Sequence, residues 1–206
     1  NKRCISKLLE IQLRRDIMGR YSAIAEMSER IGERLRQALV PDLIPDRGGI
    51  VMCSPDNCED CTLGIFLYDI QENDELRQIQ MVNIDGDRQK GPPAYLSLYY
   101  MITAYRQGDW QFGAIQQERI LGKVVHHFHD DPILDGQEGV RMQMLKLSTE
   151  DKLKLWNFGG KPYTVSVFYK ASPVAVESDV IKNVTRVSAA EFAVSPKERR
   201  EKNGSG

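Results

Sequence analysis

Apolar residues at Ile24, Met27, Ile31, Leu35 and Leu39 recur every third or fourth position, with Glu26, Glu29, Arg30, Glu33, Arg34 and Arg36 mostly on the other side. That period predicts an amphipathic helix with one buried stripe. Pro41 ends it, because proline cannot continue the ladder and disfavours helical backbone in the residue before it. After the turn-rich "VPDLIPDRGG", the segments "IVMC" and "TLGIFLYDIQ" are β-branched and aromatic and read as strands joined by a cysteine-bearing loop, a solvent-facing hairpin. The polar stretch "ENDELRQIQMVNIDGDRQKGPP" is longer than most connections in compact domains. It predicts an interaction arm rather than an extra short strand.

In "AYLSLYYMITAY", Leu96, Leu98, Tyr100 and Ile102 point one way and Ser97, Tyr99, Met101 and Thr103 the other. Neither set is strongly polar, so both faces are expected to be covered and this strand to lie at the centre of the sheet. A second helix begins near Trp110, carries Ile120, Leu121, Val124, Val125 and Phe128 on one face, and closes before Pro132. "VRMQMLKL" alternates as a strand, and Ser148 with Asp151 has the S-x-x-D spacing of a helix N-cap, starting a short helix through Leu153 and Trp156 that "GGKP" breaks. "YTVSVFYKA" is a further strand with Tyr163, Val165, Val167 and Tyr169 on one face. From "SPVAVESDVIKNVTRVSAAEFAV" onward the chain reads as an extended arm, ending in a charged tail of disordered composition. The element order implies an α+β domain: a mixed β-sheet with flanking helices.

At 206 residues the chain accommodates one domain with a core of its own. With 28% charged residues and a formal net charge of -1, it has no field that would gather nucleic acid or anionic membrane. No apolar run approaches the ~20 residues of a membrane-spanning helix, and "NKRCISKLLEIQLRRDIM" has charges inside its apolar part, unlike a signal peptide. Neither nucleic acid nor membrane is expected as a partner, and synthesis is expected to be cytoplasmic. Residues 1–17 read as an N-terminal extension. Arg14 to Met18 is what a purine-rich ribosome-binding site would encode if read in frame, which suggests a mis-set start and a domain over residues 18–178, with an arm and tail over 179–206.

The densest candidate chemistry is "KVVHHFHDDPIL". His126, His127, His129, Asp130 and Asp131 are residue types from which hydrolytic metal sites are built. On a helix His126 and His129 share a face while His127 is rotated away, so at most two imidazoles converge. The alternative reading is structural: such side chains in a last turn serve unpaired carbonyls and the negative end of the helix dipole. Cys53, Cys58 and Cys61 form a C-x4-C-x2-C run, one ligand short of a closed zinc site, which Asp56, Asp60 or a histidine would have to complete. Clustered rather than evenly spread, these cysteines are not a disulfide framework, and reduced thiols without metal are the expectation. No nucleophile elbow, P-loop or dinucleotide fingerprint occurs. Tyr95, Tyr99, Tyr100 and Tyr105 lack the basic residues of a base-stacking platform and are expected in packing or at an interface.

Larger blocks say more. "YSAIAEMSERIGERL", "LGIFLYDIQENDELR", "PPAYLSLYYMITAY", then Glu118 and "ILGKVVHHFHDDPIL", then "VRMQMLKLSTEDKLKLWNFGGKPYTVSVFYKASPVAVES" resemble, in matching order from about Tyr21 to Ser178, the N-terminal domain of the cap proteins of extracellular contractile injection systems. The resemblance implies a phage tail-terminator-like fold and a structural protein, not an enzyme. It further implies a homo-hexameric ring on the distal end of the tube that stops polymerisation and anchors the last sheath ring, with tube and sheath proteins as partners. Such a protein would be cytoplasmic during assembly and then part of a releasable particle. The helix ending in His129-Asp130 before Pro132 and Leu134 is, on this resemblance, a feature of the fold. The resemblance supplies no catalytic residue, cofactor or metal, and the cysteine loop is not part of its pattern. The competing reading is a small metal-binding enzyme or regulatory module using the Cys53/Cys58/Cys61 loop or the His126/His129 turn.

Overall fold

Strand β5 (Ala94–Ala104) is the middle of a five-stranded sheet in the order β1-β2-β5-β7-β6, the other members being β1 (Ile50–Met52), β2 (Leu63–Glu72), β6 (Arg141–Met144) and β7 (Ser166–Val176). The computed structural model describes residues 21–58, 61–106, 110–134, 139–156 and 163–184. The expected extension 1–17, most of the C-terminal tail and the "GGKP" break lie outside them. β2, β5, β7 and β6 run antiparallel to their neighbours, and β1 pairs with β2 in parallel, Ile50 opposite Leu63. The sheet is therefore mixed. The loop between β1 and β2 is a crossover and not the expected hairpin.

One face of the sheet carries two helices. In α1 (Ala23–Leu39), Ala23, Met27, Ile31, Leu35 and Leu39 are all buried, which is the stripe the four-residue repeat demands. α2 (Trp110–Asp130) buries Ile120, Leu121, Val124 and Phe128 beside it, over Leu98, Tyr100, Ile102, Tyr169 and Ala171 of the sheet. Each fully buried leucine or isoleucine here contributes about 1.5–3 kcal/mol relative to its exposed state. The opposite face is covered by a smaller cluster of Met101, Phe168 and Trp156, with Phe66, Tyr68, Leu147 and Leu155 packed against it. Trp156 and Leu155 belong to or follow α3 (Thr149–Leu155), started by Ser148, whose Oγ accepts from the Asp151 N–H at 3.1 Å. Both faces of β5 are thus buried, as its two apolar sets require.

β7 departs from its sequence pattern at both ends. Tyr163 and Val165 precede the strand and are exposed, and the strand continues through Pro173 to Val176. Proline is tolerated there because Ser97 of β5 faces a bulge: Leu96 pairs with Val174 and Leu98 with Ala171, leaving Ser172 and Pro173 opposite one residue. Ser97 and Ser172 hydroxyls meet across it at 3.0 Å.

The polar stretch after β2, expected as an arm rather than a strand, contains two short strands. β3 (Val82–Asn83) and β4 (Arg88–Lys90) form a hairpin, and β8 (Ile181–Asn183), from the expected C-terminal arm, pairs with β4. A second, three-stranded sheet results, joining segments distant in sequence.

Candidate functional site

The histidine turn does not assemble a metal cage. His126 is exposed, with Nδ1 3.2 Å from Asp130 Oδ2 one turn on. His127 is half-buried against the Phe128 ring and accepts from Arg34 Nε at 3.4 Å. His129 is exposed and borders a groove of about 440 Å³ with Phe128, Pro132, Met142, Met144 and Tyr169. Asp131 turns back to α1, where Arg34 Nη2 meets its carboxylate at 2.5 Å. Arg34 also donates to the carbonyls of Asp131 at 3.3 Å and Ile133 at 3.2 Å. One guanidinium therefore satisfies the chain just past the end of α2, where a helix leaves carbonyls unpaired. Burial, then the neighbouring Arg34 charge, holds the His127 imidazole below its usual pKa. By its spacing Arg34 belongs to the polar side of α1. Its side chain is only 13% exposed, and nothing in the local pattern marks its partners 93 to 99 residues away.

The cysteines do converge. Cys53 follows β1, Cys58 follows a 3₁₀ turn at Pro55–Asn57, and Cys61 stands just before β2. Cys58 and Cys61 are buried, at 7% and 4% exposure, so the thiols are not on a solvent-facing loop. Cys58 Sγ contacts both Cys53 Sγ and Cys61 Sγ at covalent range, and the outer two sulfurs are 3.9 Å apart. Divalent sulfur carries one S–S bond, so the two contacts are alternatives and cannot both be bonds in one molecule. Among the described residues this is the one group of three or more His, Cys, Asp or Glu side chains with ligand atoms gathered within 4.8 Å. Asp56 does not join it, and Asp60 lies outside the described residues. The sulfurs rest on the backbone of β2 at Gly64: a Cβ there would come within 3.1 Å of both Cys53 Sγ and Cys58 Sγ and 2.9 Å of the Tyr105 ring.

The tyrosines are packing residues. Tyr100 is fully buried, its hydroxyl 2.9 Å from Ser28 Oγ of α1, and burial pushes its pKa up to about 12. Tyr99 donates to Gln71 Oε1 at 3.0 Å, and its ring lies 6.1 Å from that of Tyr68. Tyr105 is half-buried over Gly64, and Tyr95 is half-buried near the start of β5.

Surfaces that can meet other chains are unevenly distributed. Both outer strands of the main sheet are short and partly covered: Arg36 Nη2 donates to the Ile50 carbonyl of β1 at 3.0 Å, and Met142 N of β6 donates to Pro132 O at 2.7 Å. Such edges are blunted against pairing. The small sheet is different. Its outer strands β3 and β8 have one paired side each, and Val82, Ile84, Val180 and Ile181 are about half exposed around it, with Ile79 beyond at 86%. Its β4–β8 ladder is extended by Gly91 N donating to Val180 O at 2.8 Å, and Lys90 reaches Glu177, just past β7, at 2.7 Å. Strands of two and three residues are too short to be stable alone, so an apolar, open-edged sheet of this size is suited to a neighbour.

The family model described as the Pvc16 N-terminal domain matches residues 26–189. The chain belongs to that family. No curated protein matches it. Among solved structures, it is similar to the sheath/tube terminator of the extracellular contractile injection system PVC in its extended state, at 23% identity and a TM-score of 0.65 over 85% of this chain. It is also similar to the tube-terminating cap of the anti-feeding prophage, at 20% identity and a TM-score of 0.63 over 84% of this chain. The chain spans 64% and 62% of the length of those two proteins. At these identities the likeness establishes the fold, and the α+β, tail-terminator-like architecture expected from the sequence is the one observed.

Proposed function

We propose that this chain is the cap of a phage-tail-like contractile injection system: a homo-hexameric ring on the distal end of the tube and sheath that terminates polymerisation. The observation that carries the reading is family membership over residues 26–189, together with a fold shared over 85% of the chain with a sheath/tube terminator. The surfaces suit it. A closed ring is built from heterologous contacts, in which two different patches of each subunit meet, and the apolar small sheet and the groove beside β6 are two patches of different residues. The role is one of assembly, without substrate turnover. Neither nucleic acid nor membrane is a partner in it, and no described helix is long and apolar enough to cross a bilayer. Assembly takes place in the cytoplasm and the cap leaves with the particle.

The test is electron microscopy of particles from source cells with and without the gene. Tubes or sheaths of irregular length, or no mature particles, are expected on its loss, and restoring the gene must restore uniform length. Unchanged particles would remove the capping role. Native mass spectrometry of the chain with tube protein checks the ring: six copies support it, and any other stoichiometry displaces it.

A further inference from the structure

We propose that Cys53, Cys58 and Cys61 bind one zinc ion through three thiolates, with a fourth position filled by an oxygen ligand, and that this ion pins the crossover between β1 and β2. The site is independent of the capping role.

Parallel neighbours need a crossover, normally a dozen or more residues built around a helix. Here only ten residues, 53–62, separate the strands; the described ones contain one 3₁₀ turn, and the three cysteines stand at positions one, six and nine. The Cα separations are 6.0 Å for Cys53 and Cys58 and 5.6 Å for Cys58 and Cys61, so both halves of the loop are folded onto the same point. A single disulfide ties only one half and leaves the third sulfur outside the bond. A metal ties both.

The outer pair of sulfurs fits an ion as it stands, and Cys58 Sγ, in contact with both, has to draw back by side-chain rotation for an ion to enter. Zinc bonds thiolate sulfur at about 2.3 Å, so two ligands of a tetrahedral ion stand about 3.8 Å apart. Cys53 and Cys61 Sγ stand 3.9 Å apart. Cys58-x2-Cys61 is the spacing of many structural zinc sites, and soft thiolates select zinc over harder cations such as magnesium or calcium. Gly64 offers the cluster a floor without a side chain, and a methyl group there would press on two of the three sulfurs. Three ligands gather among the described residues, which leaves the fourth position to water.

The experiment uses the full chain. Protein purified without chelator is expected to carry about one zinc by elemental analysis, with all cysteines reacting as thiols after denaturation in chelator. The deciding arm is the fully reduced chain titrated with Co²⁺ without oxygen. Three thiolates give an intense near-ultraviolet charge-transfer band that Zn²⁺ abolishes, with zinc binding at a Kd of about 10 nM or tighter, the weak end for structural zinc. Cys58→Ser should weaken binding about 100-fold or more, as removal of a direct ligand exceeds the usual loss from an outer-shell change. Should that variant misfold, Cys58→His must bind cobalt with a charge-transfer band reduced by about a third, one thiolate of three being lost. Isolated protein without zinc and with one disulfide, a reduced chain giving no charge-transfer band, or weaker zinc binding than stated would each overturn the site.

Discussion

Arg34 Nε lies 3.4 Å from His127 Nε2, and the same guanidinium holds the Asp131 carboxylate and the carbonyls of Asp131 and Ile133. This one side chain joins α1 to the segment that closes α2. The imidazole it faces must stay neutral to accept from it.

The first prediction follows from that contact. Arg34→Ala should cost about 1–3 kcal/mol: charge-assisted bonds to two carbonyls are lost, while the ion pair with the exposed Asp131 adds little. The pH dependence has a fixed sign. His127 is held below its ordinary value of 6.5, so as pH falls through 6.5 the unfolded chain takes up the proton first and stability declines until the folded value is passed. Above 6.5 the group is neutral in both states and contributes no slope. Urea unfolding between pH 5 and 7.5 should show this slope in the wild type and a smaller one in His127→Gln.

At alkaline pH the signs change. Tyr68, Tyr100 and Tyr169 each have a pKa raised from 10.0 to about 12, with desolvation the main cause. Their stabilising effect is complete below pH 10 and is lost as pH rises through 12, because the unfolded chain ionises first. Tyrosinate absorbance at 295 nm should therefore show a late component that moves earlier when urea unfolds the chain. A single smooth titration in both conditions would contradict the burial assigned to these hydroxyls.

The Tyr100 and Ser28 hydroxyls, 2.9 Å apart, allow an asymmetric test. Tyr100→Phe removes one partner while Ser28 keeps its bond to Ile24 O, and about 0.5–1.5 kcal/mol is expected. Ser28→Ala leaves the phenol buried without that partner and should cost more, about 1–3 kcal/mol. Equal losses in thermal unfolding would mean that water takes the serine's place.

Gly64→Ala probes the cysteine floor. The added methyl meets Cys53 Sγ and Cys58 Sγ at 3.1 Å and the Tyr105 ring at 2.9 Å, so the crossover must shift. Overpacking of this kind costs about 1–3 kcal/mol. The cysteines should at the same time react faster with a thiol reagent in the folded protein, whereas Gly86→Ala, which meets nothing within 4 Å, should leave the rate unchanged.

Val82→Asp with Ile181→Asp tests the small sheet. Both residues are about half exposed, so folding stability should change by no more than about 0.5 kcal/mol per site, while particles lose uniform length. Loss of fold by circular dichroism would instead make the sheet part of the core.

How much of this the sequence showed depended on the range of the interaction. The stripe on α1, the double-faced β5 and the Ser148 cap are written within a few residues of each other, and periodicity or spacing finds them. The run through Pro173 was missed because what permits a proline there is a bulge opposite Ser97, 75 residues earlier in the chain than Ser172. The parallel pairing of β1 was missed for a related reason. Two strands separated by a short turn-rich loop look like a hairpin unless something shows the direction of the second, and no local residue pattern here does so. The histidines drew attention by density, yet the residue that organises their turn is an arginine on another helix. The resemblance to cap proteins, carried by whole blocks in order, was more informative than any of these clusters.

The small sheet has one more implication. Its middle strand comes from residues 88–90 and its last from 181–183, so neither stretch can build it alone. A protease nick after Glu177 would spare the whole five-stranded sheet and yet strip the hairpin of its partner. The small sheet therefore reports whether the segment after β7 is in place, a property that measurements on the main sheet alone would not detect.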